Sequence, residues 1–364
     1  MIKLKTLGAT ALAGSLVAVS AQAGEMSVTG GAIATYKTGS TVHGANTLGH
    51  KTNFQFTGSG EMDNGWTFST FALVKDDISA LSSSALTMTM GSLGTIGVSK
   101  GGGFNVNGGY DETYPRAYEE NSDAGGDSSA NYLGNWADDN ALVYKLPAMD
   151  LMGLSVNVGV EYALQADGLA TASDGGQNAQ SSTYDGGYGL GVTAGYEGLT
   201  LGAYVAERDN RNEAVTHDVT DEFNGTWFAN YSMGPVSIGY QETYIDAGIG
   251  GGASTANDYV TTSAKTVGTS GGIFEATSMS IAFNVNDDLS ISISETEDTY
   301  DARSDLAIGT AETADVTQKT DSIQVSYSMG AMSVSAYTTE IVNPRYDENA
   351  ETLNVNEIAI GLAF

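Results

Sequence analysis

The chain has 364 residues and sets 44 Asp and Glu against 14 Lys and Arg, a formal charge of −30, which excludes nucleic acid and other polyanions as partners. It contains no cysteine, so no disulfide framework holds it together. Its 47 Gly and 19 Tyr beside only 4 Pro favour strands with close backbone approaches over helices.

At the start of the chain, Lys3 and Lys5 precede an apolar run from Leu7 to Val19, which is followed by Ala21-Gln22-Ala23. This is the order of a secretory signal peptide over residues 1–23, with the mature chain starting near Gly24. The run has 13 residues, short of the ~20 that span a bilayer as a helix. No later segment is a candidate spanning helix, so insertion into a membrane would be by strands.

Residues 24–364 read as one all-β domain of sixteen strands. The first eight centre on Ser27 to Lys37, Thr52 to Gly60, Trp66 to Lys75, Ala85 to Met90, Thr95 to Lys100, Asn140 to Leu146, Leu154 to Gln165 and Gly187 to Tyr196. The second eight centre on Leu199 to Glu207, Glu222 to Ser232, Val236 to Ile245, Phe274 to Val285, Leu289 to Glu297, Thr320 to Ser328, Met332 to Glu340 and Leu353 to Phe364. Connections alternate in length. Tight turns such as Glu197-Gly198, Met233-Gly234 and Met329-Gly330-Ala331 accept the positive φ of short hairpins. Between them run long, polar, acidic segments, including Ala166 to Tyr184, Asp246 to Ile273 and Thr299 to Lys319. An even strand count with short turns on one side and long loops on the other predicts a closed antiparallel barrel crossing a membrane.

Within strands the period is two. Leu289, Ile291 and Ile293 alternate with Ser290, Ser292 and Ser294; Val156, Val158 and Val160 alternate with Ser155, Asn157 and Gly159. The apolar set is expected to face lipid and the small polar set water. Tyr36, Trp66, Tyr162, Tyr196, Trp227, Tyr231, Tyr240 and Tyr327 lie where aromatic girdles form. The last strand carries Ile358, Ile360, Leu362 and Phe364 on one face and ends the chain on that phenylalanine. It resembles the terminal signal by which outer-membrane barrels of Gram-negative bacteria engage their assembly machinery.

One connection departs from the rest: Gly101 to Asp139, between the fifth and sixth strands, is about twice as long as its neighbours and carries Asp111, Glu112, Glu119, Glu120, Asp123 and Asp127 around Tyr110, Tyr114, Pro115, Arg116 and Tyr118. Here the chain resembles the general diffusion porins, sixteen-stranded homotrimeric barrels of Gram-negative outer membranes. The resemblance implies that this third external loop folds into the lumen, that the chain trimerises in outer-membrane lipid, and that small hydrophilic solutes and ions pass through it. Family members set acidic loop residues against a basic wall. Here strand parity turns only Lys51 and Lys75 inward, with Arg116 in the loop itself and no arginine cluster, which implies a preference for cations. The Pro-Glu-Phe-Gly-Gly stretch of some members is absent.

Clustered carboxylates also suit a hard cation, with calcium at Asp111, Glu112, Glu119 and Glu120 the candidate, although no D-x-D-x-D-G loop is present. Zinc is disfavoured: His43, His50 and His217 are the only histidines and have no ligand spacing. No G-x-S-x-G elbow occurs, and Gly101-Gly102-Gly103 and Gly250-Gly251-Gly252 lack the lysine of a phosphate loop, so no enzyme is expected. The alternatives are a substrate-specific channel for sugars or cationic nutrients, an outer-membrane barrel hydrolase, and a secreted acidic β-sandwich adhesin. Phe71 and Tyr204 have inward parity but stand isolated.

Overall fold

The computed structural model describes residues 24–40, 47–75, 80–138, 140–166, 184–210, 220–248, 264–268, 270–302 and 314–364. The signal peptide over 1–23, His43, His217, Asp139 and most of the long connections lie outside the described residues.

In chain order the strands are β1 (Glu25–Gly39), β2 (Leu48–Glu61), β3 (Thr67–Lys75), β4 (Ala80–Thr89), β5 (Thr95–Lys100), β6 (Ala141–Lys145), β7 (Met149–Leu151), β8 (Leu154–Ala163) and β9 (Tyr184–Tyr196). They continue with β10 (Leu199–Asn210), β11 (Glu222–Met233), β12 (Val236–Asp246), β13 (Ile273–Asn284), β14 (Leu289–Asp301), β15 (Val316–Met329), β16 (Met332–Val342) and β17 (Leu353–Ala363). Every pairing is antiparallel, and all join chain neighbours except that β1 closes the wall on β17 and that β6 and β7 both pair with β8. They are two halves of one wall strand. Pro147 stands in the gap and has no N–H to give the ladder, and the register against β8 slips by one residue between Lys145↔Gly159 and Met149↔Val156. The wall is therefore a closed antiparallel barrel of sixteen strands, as the alternation predicts. The small strand at 149–151 is the one piece the sequence reading missed.

Closure runs through the chain ends. β1 pairs with β17 from Gly31↔Ala363 to Gly39↔Val355, and Gly30 and Phe364 exchange backbone hydrogen bonds of 2.7 and 2.9 Å. The Phe364 ring packs edge-on against Phe54 at 5.7 Å. A Cβ on Gly30 would come within 2.8 Å of that ring, so the seam needs a glycine there. At the turn between β9 and β10, Gly198 has φ +88° and a Cβ there would lie 2.4 Å from the Ser232 carbonyl oxygen.

The two faces of the wall differ as the period-two pattern requires. Ile293, Ile323 and Ile358 are each about half exposed on the outside (56%, 55% and 55%). Moving such a side chain from water into hydrocarbon gains ~1.5–3 kcal/mol. Tyr36, Tyr162, Tyr196, Trp227, Tyr231 and Tyr327 share that outer face and are exposed. The inner face departs from expectation on β13 to β15. Ser278, Ser280, Ser292, Ser294, Thr320 and Ser322 are buried, because the segment after β5 lies over them instead of water.

Candidate functional site

Segment 101–138 is built from short 3-10 turns and one helical turn, Ser129–Tyr132. It is held by side chains projecting from the inner wall. The first anchor is Glu161 on β8, buried at 2% exposure. Its carboxylate accepts from the backbone N–H groups of Val106 and Asn107 (2.5 and 3.1 Å) and from the Tyr204 hydroxyl on β10 (2.7 Å). Tyr204 stacks on Tyr110 at 5.3 Å, inside an apolar cluster with Val106, Leu133, Trp136, Val143 and Phe228. Tyr204 thus points inward as parity predicts, but it is part of the packing under the loop and offers no exposed stacking surface.

Three glutamines then grip the loop backbone. On β12, Gln241 accepts from Thr113 N–H (2.9 Å) and donates to the Tyr110 carbonyl (2.7 Å). On β15, Gln324 accepts from Tyr118 N–H (2.9 Å) and donates to the Glu119 carbonyl (2.7 Å). Further along β15, Gln318 accepts from Asp127 N–H (3.1 Å) and donates to its carbonyl (2.5 Å). Each primary amide imitates a neighbouring strand, satisfying one donor and one acceptor of the loop. The loop reaches β17, where Tyr118 donates to Glu357 (3.0 Å), and β1, where Lys37 donates to the Asp123 carbonyl (3.0 Å). It returns past Asp298 on β14, which accepts from Ser129 N–H (2.7 Å), and Asn224 on β11, which accepts from Gly134 N–H (2.9 Å). The inner faces of β1 and of β8 to β17 thus carry the loop, with β9 offering the glycines Gly187 and Gly191 beneath Trp136 and Tyr110.

The predicted acids take different places. Asp111, Glu112 and Glu120 come together, with one carboxylate oxygen of each within 4.8 Å of the others; Glu119 is not among them. Glu112, expected to line a pore, is 0% exposed. It accepts hydrogen bonds from Tyr114 (3.0 Å), Ser122 (2.7 Å) and Ser128 (3.4 Å), bracing three turns of the loop against one another. Arg116 does not stand apart: its guanidinium donates to the Glu112 carbonyl and the Glu120 carboxylate. Asp127 is a tether, accepting from the N–H groups of Val267 and Ser128. Asp123 is exposed. Lys51 and Lys75 are exposed on the inner side of β2 and β3, and no hydrogen bond or ion pair joins either to the loop among the described residues.

Burial, then Glu120 and Glu112, push the Asp111 carboxyl up to about 8. Burial alone leads for Glu112, pushed up to about 7. Glu119 also rises to about 7, from burial and then the neighbouring Asp123, and burial raises Glu120 and Asp127. Near neutrality the loop therefore shares protons among close carboxylates. Asp111 Oδ1 is buried with no hydrogen-bond partner. The trio's hard oxygens are of the type calcium takes, and the Arg116 contact to Glu120 would compete with an ion there.

The gripping residues Glu161, Gln241, Gln318, Gln324 and Asp298, with Lys37 and Glu357, were not singled out from sequence. Their signal is present: each is a long polar side chain at an inward position of a strand whose other inward residues are mostly small.

No protein-family model matches the chain, and no curated protein sequence does either. Solved structures do. OmpF of Salmonella typhi, in a complex with daunomycin, superposes with a TM-score of 0.67 over 94% of this chain and 98% of its own, at 13% identity. A porin refined at 1.8 Å gives 0.55 over 93% and 100%, also at 13% identity. OmpT, an outer-membrane protein of Vibrio cholerae, gives 0.55 over 95% and 99%, at 11% identity. At these identities the likeness is one of architecture: the chain has the fold of the general porins.

Proposed function

We propose that this chain is an outer-membrane channel through which small hydrophilic solutes and ions diffuse passively, with cations preferred, and that it works as a homotrimer in outer-membrane lipid. The observation that carries this reading is the pinning of segment 101–138 against β1 and β8 to β17. Such a segment takes up part of a lumen that sixteen strands would otherwise leave wide, and the passage left runs beside the inner faces of β2 and β3. Asp111, Glu119, Glu120 and Asp123 border it on the loop side, with Lys51 and Lys75 across from them. Carboxylates in a narrow, partly desolvated tube favour cations, and Lys37, Lys51 and Lys75, with Arg116 already paired to Glu120, are a thin counterweight. No catalytic step is involved. Calcium bound by Asp111, Glu112 and Glu120 is a further part of this reading.

The test is single-channel recording of the purified protein in planar bilayers under a salt gradient. Stepwise openings with a cation-selective reversal potential are expected, closing in threes if the trimer forms. Replacing Asp111→Asn, Glu119→Gln and Glu120→Gln together should move the reversal potential toward zero while the barrel stays heat-modifiable. An unchanged reversal potential would remove these acids from the passage, and a folded barrel without conductance would remove the channel reading itself.

A further inference from the structure

At the end of the barrel that carries the long connections, three of them meet at one point. Gln318 on β15, 2% exposed, holds Asp127 of the loop, and its Oε1 accepts a second N–H, from Arg345 (2.8 Å). Arg345 belongs to the connection between β16 and β17. Asp127 in turn accepts the Val267 N–H (2.9 Å), which comes from the connection between β12 and β13. These two connections are bonded to each other as well: the Arg345 carbonyl accepts from Lys265 N–H (2.8 Å), and its guanidinium donates to the Thr266 hydroxyl (3.1 Å). Residues 265–268 thus bond directly to both of the other segments, and those two share the Gln318 side-chain oxygen.

Packing seals the joint. Val267 and Tyr346 lie in one buried cluster with Phe274 and Tyr300, and Tyr132 of the loop packs against it. Gly268, at φ +82°, lies so close to Tyr132 that a Cβ there would be 2.0 Å from the ring. The Tyr346 ring, 0% exposed, sits 5.2 Å from Phe274 and 5.9 Å from Tyr300. The backbone that delivers it is unfavourable: Asn343, Arg345 and Tyr346 have φ of +49°, +58° and +56°. Asparagine tolerates this region, but arginine and tyrosine seldom visit it. Two such residues in succession persist only where the surroundings over-determine them. Here the Gln318 bond, the rings around Tyr346 and the Asn343 amide, which donates to the Thr317 carbonyl (3.0 Å), do so. Loosening those contacts frees the turn to leave its left-handed conformation, so the strain favours release.

We propose that residues 343–346 are an external strap on segment 101–138, and that the three connections dock and release as one unit. Gln318 and Asp127 are the positioning residues that join them. Docking of the loop is then set from its far end as well as by the wall amide at Gln241, and a change at the outer surface near Arg345, which is exposed, reaches the loop without entering the lumen. The coupling is reciprocal, as in any linked equilibrium: whatever loosens the loop loosens the strap by the same factor. The inference takes from the channel reading only that this loop borders the passage, and its test does not use ion flow.

Labelling of single cysteines in the full protein by a small thiol reagent tests it, with Ala117→Cys reporting on the loop and Val267→Cys on the strap side (5% and 4% exposed). Arg345→Gly and Arg345→Val remove the same guanidinium, keep the same N–H and carbonyl, and differ in the cost of the left-handed conformation. Both cysteines should react about tenfold faster in the valine variant than in the glycine variant, the left-handed cost of one non-glycine residue. In the other direction, Gln241→Leu should speed both cysteines by the same factor, although the Gln241 bonds go to Thr113, Tyr110 and Thr226 and not to the strap. A valine-to-glycine difference seen at Val267→Cys alone, or at neither site, overturns the proposal, and so does a Gln241→Leu effect confined to Ala117→Cys. If Arg345→Val gives no heat-modifiable barrel, the Gln241→Leu comparison decides. Conductance recorded on the same preparations separates this outcome from failure of the channel reading, because a folded barrel that does not conduct still shows linked labelling if the strap holds the loop.

Discussion

Replacing Gln241→Leu removes a side-chain amide that is 1% exposed and leaves two loop groups without partners, the Thr113 N–H and the Tyr110 carbonyl. Leucine keeps the volume, so the loss is one of hydrogen bonding. A buried donor or acceptor left unmade costs ~1–3 kcal/mol, and the low end for both gives about 2 kcal/mol against docking of the loop. At ~1.4 kcal/mol per tenfold, the undocked population rises roughly 30-fold. The chain has no cysteine, so a single Ala117→Cys, at a loop position 5% exposed, reports opening through its rate of labelling by a small thiol reagent. When reclosing outpaces labelling, the rate tracks the open population. Adding Gln241→Leu to that background should raise the rate roughly 30-fold, as worked above. Gln55→Leu, on the inner face of β2 where Gln55 donates to its own strand neighbour Thr57 and, among the described residues, makes no hydrogen bond to the loop, should leave it unchanged. A Gln241→Leu rate within about threefold of the parent, below ~1 kcal/mol, would refute the view that wall amides hold the loop.

Cation selectivity should rise with pH. Asp111 and Glu119 have carboxyls raised to about 8 and about 7 in the folded protein, so they lose protons, and the passage gains negative charge, between about pH 6 and 9; a reversal potential flat over that window would contradict the shared-proton cluster. Stability moves the opposite way. Between the unfolded value near 4 and the raised folded values the native state binds more protons than the unfolded one, so loop docking weakens as pH rises through that range, which the Ala117→Cys labelling rate would show as an increase. Deleting Phe364 removes both the ring against Phe54 and the backbone pair with Gly30, and should lower the amount of folded barrel in the membrane more than the conductance of the molecules that do assemble; normal levels would deny the terminal strand its assembly role. Titration of calcium by calorimetry should give a binding signal that is lost in Asp111→Asn and kept in Glu119→Gln, since only the former sits in the trio; equal loss in both would dissolve the trio as a site.

The wall was legible because its rule is local. Ile291 and Ile293 next to Ser292 and Ser294 report their faces within five residues, and all sixteen segments recur as strands with ends moved by a few positions, as in β1, which runs from Glu25 to Gly39 instead of Ser27 to Lys37. The split of β6 from β7 was hidden because a three-residue strand has too few alternations to register. The loop was legible as a place and not as a path. Its acids read alike in sequence, yet Glu112 is enclosed by three hydroxyls while Asp123 is exposed, and what separates them is contact with strands more than a hundred residues away, such as Gln241 and Gln324. An acid in a polar run carries no local mark of the surface that will close over it.

The grip of the wall on one segment divides the chain's work by position. In the proposed channel, solute-facing surface would come from two early stretches, the inner positions of β2 and β3 and the loop near residues 111–123, while β1 and β8 to β17 supply the frame that fixes where that loop lies. Substitutions at the exposed inner positions of β2 and β3, such as Lys51 and Lys75, would therefore retune what passes with little effect on the barrel. Changes at the inward glutamines and acids of the later strands would act at a distance, altering the passage by letting its movable edge drift.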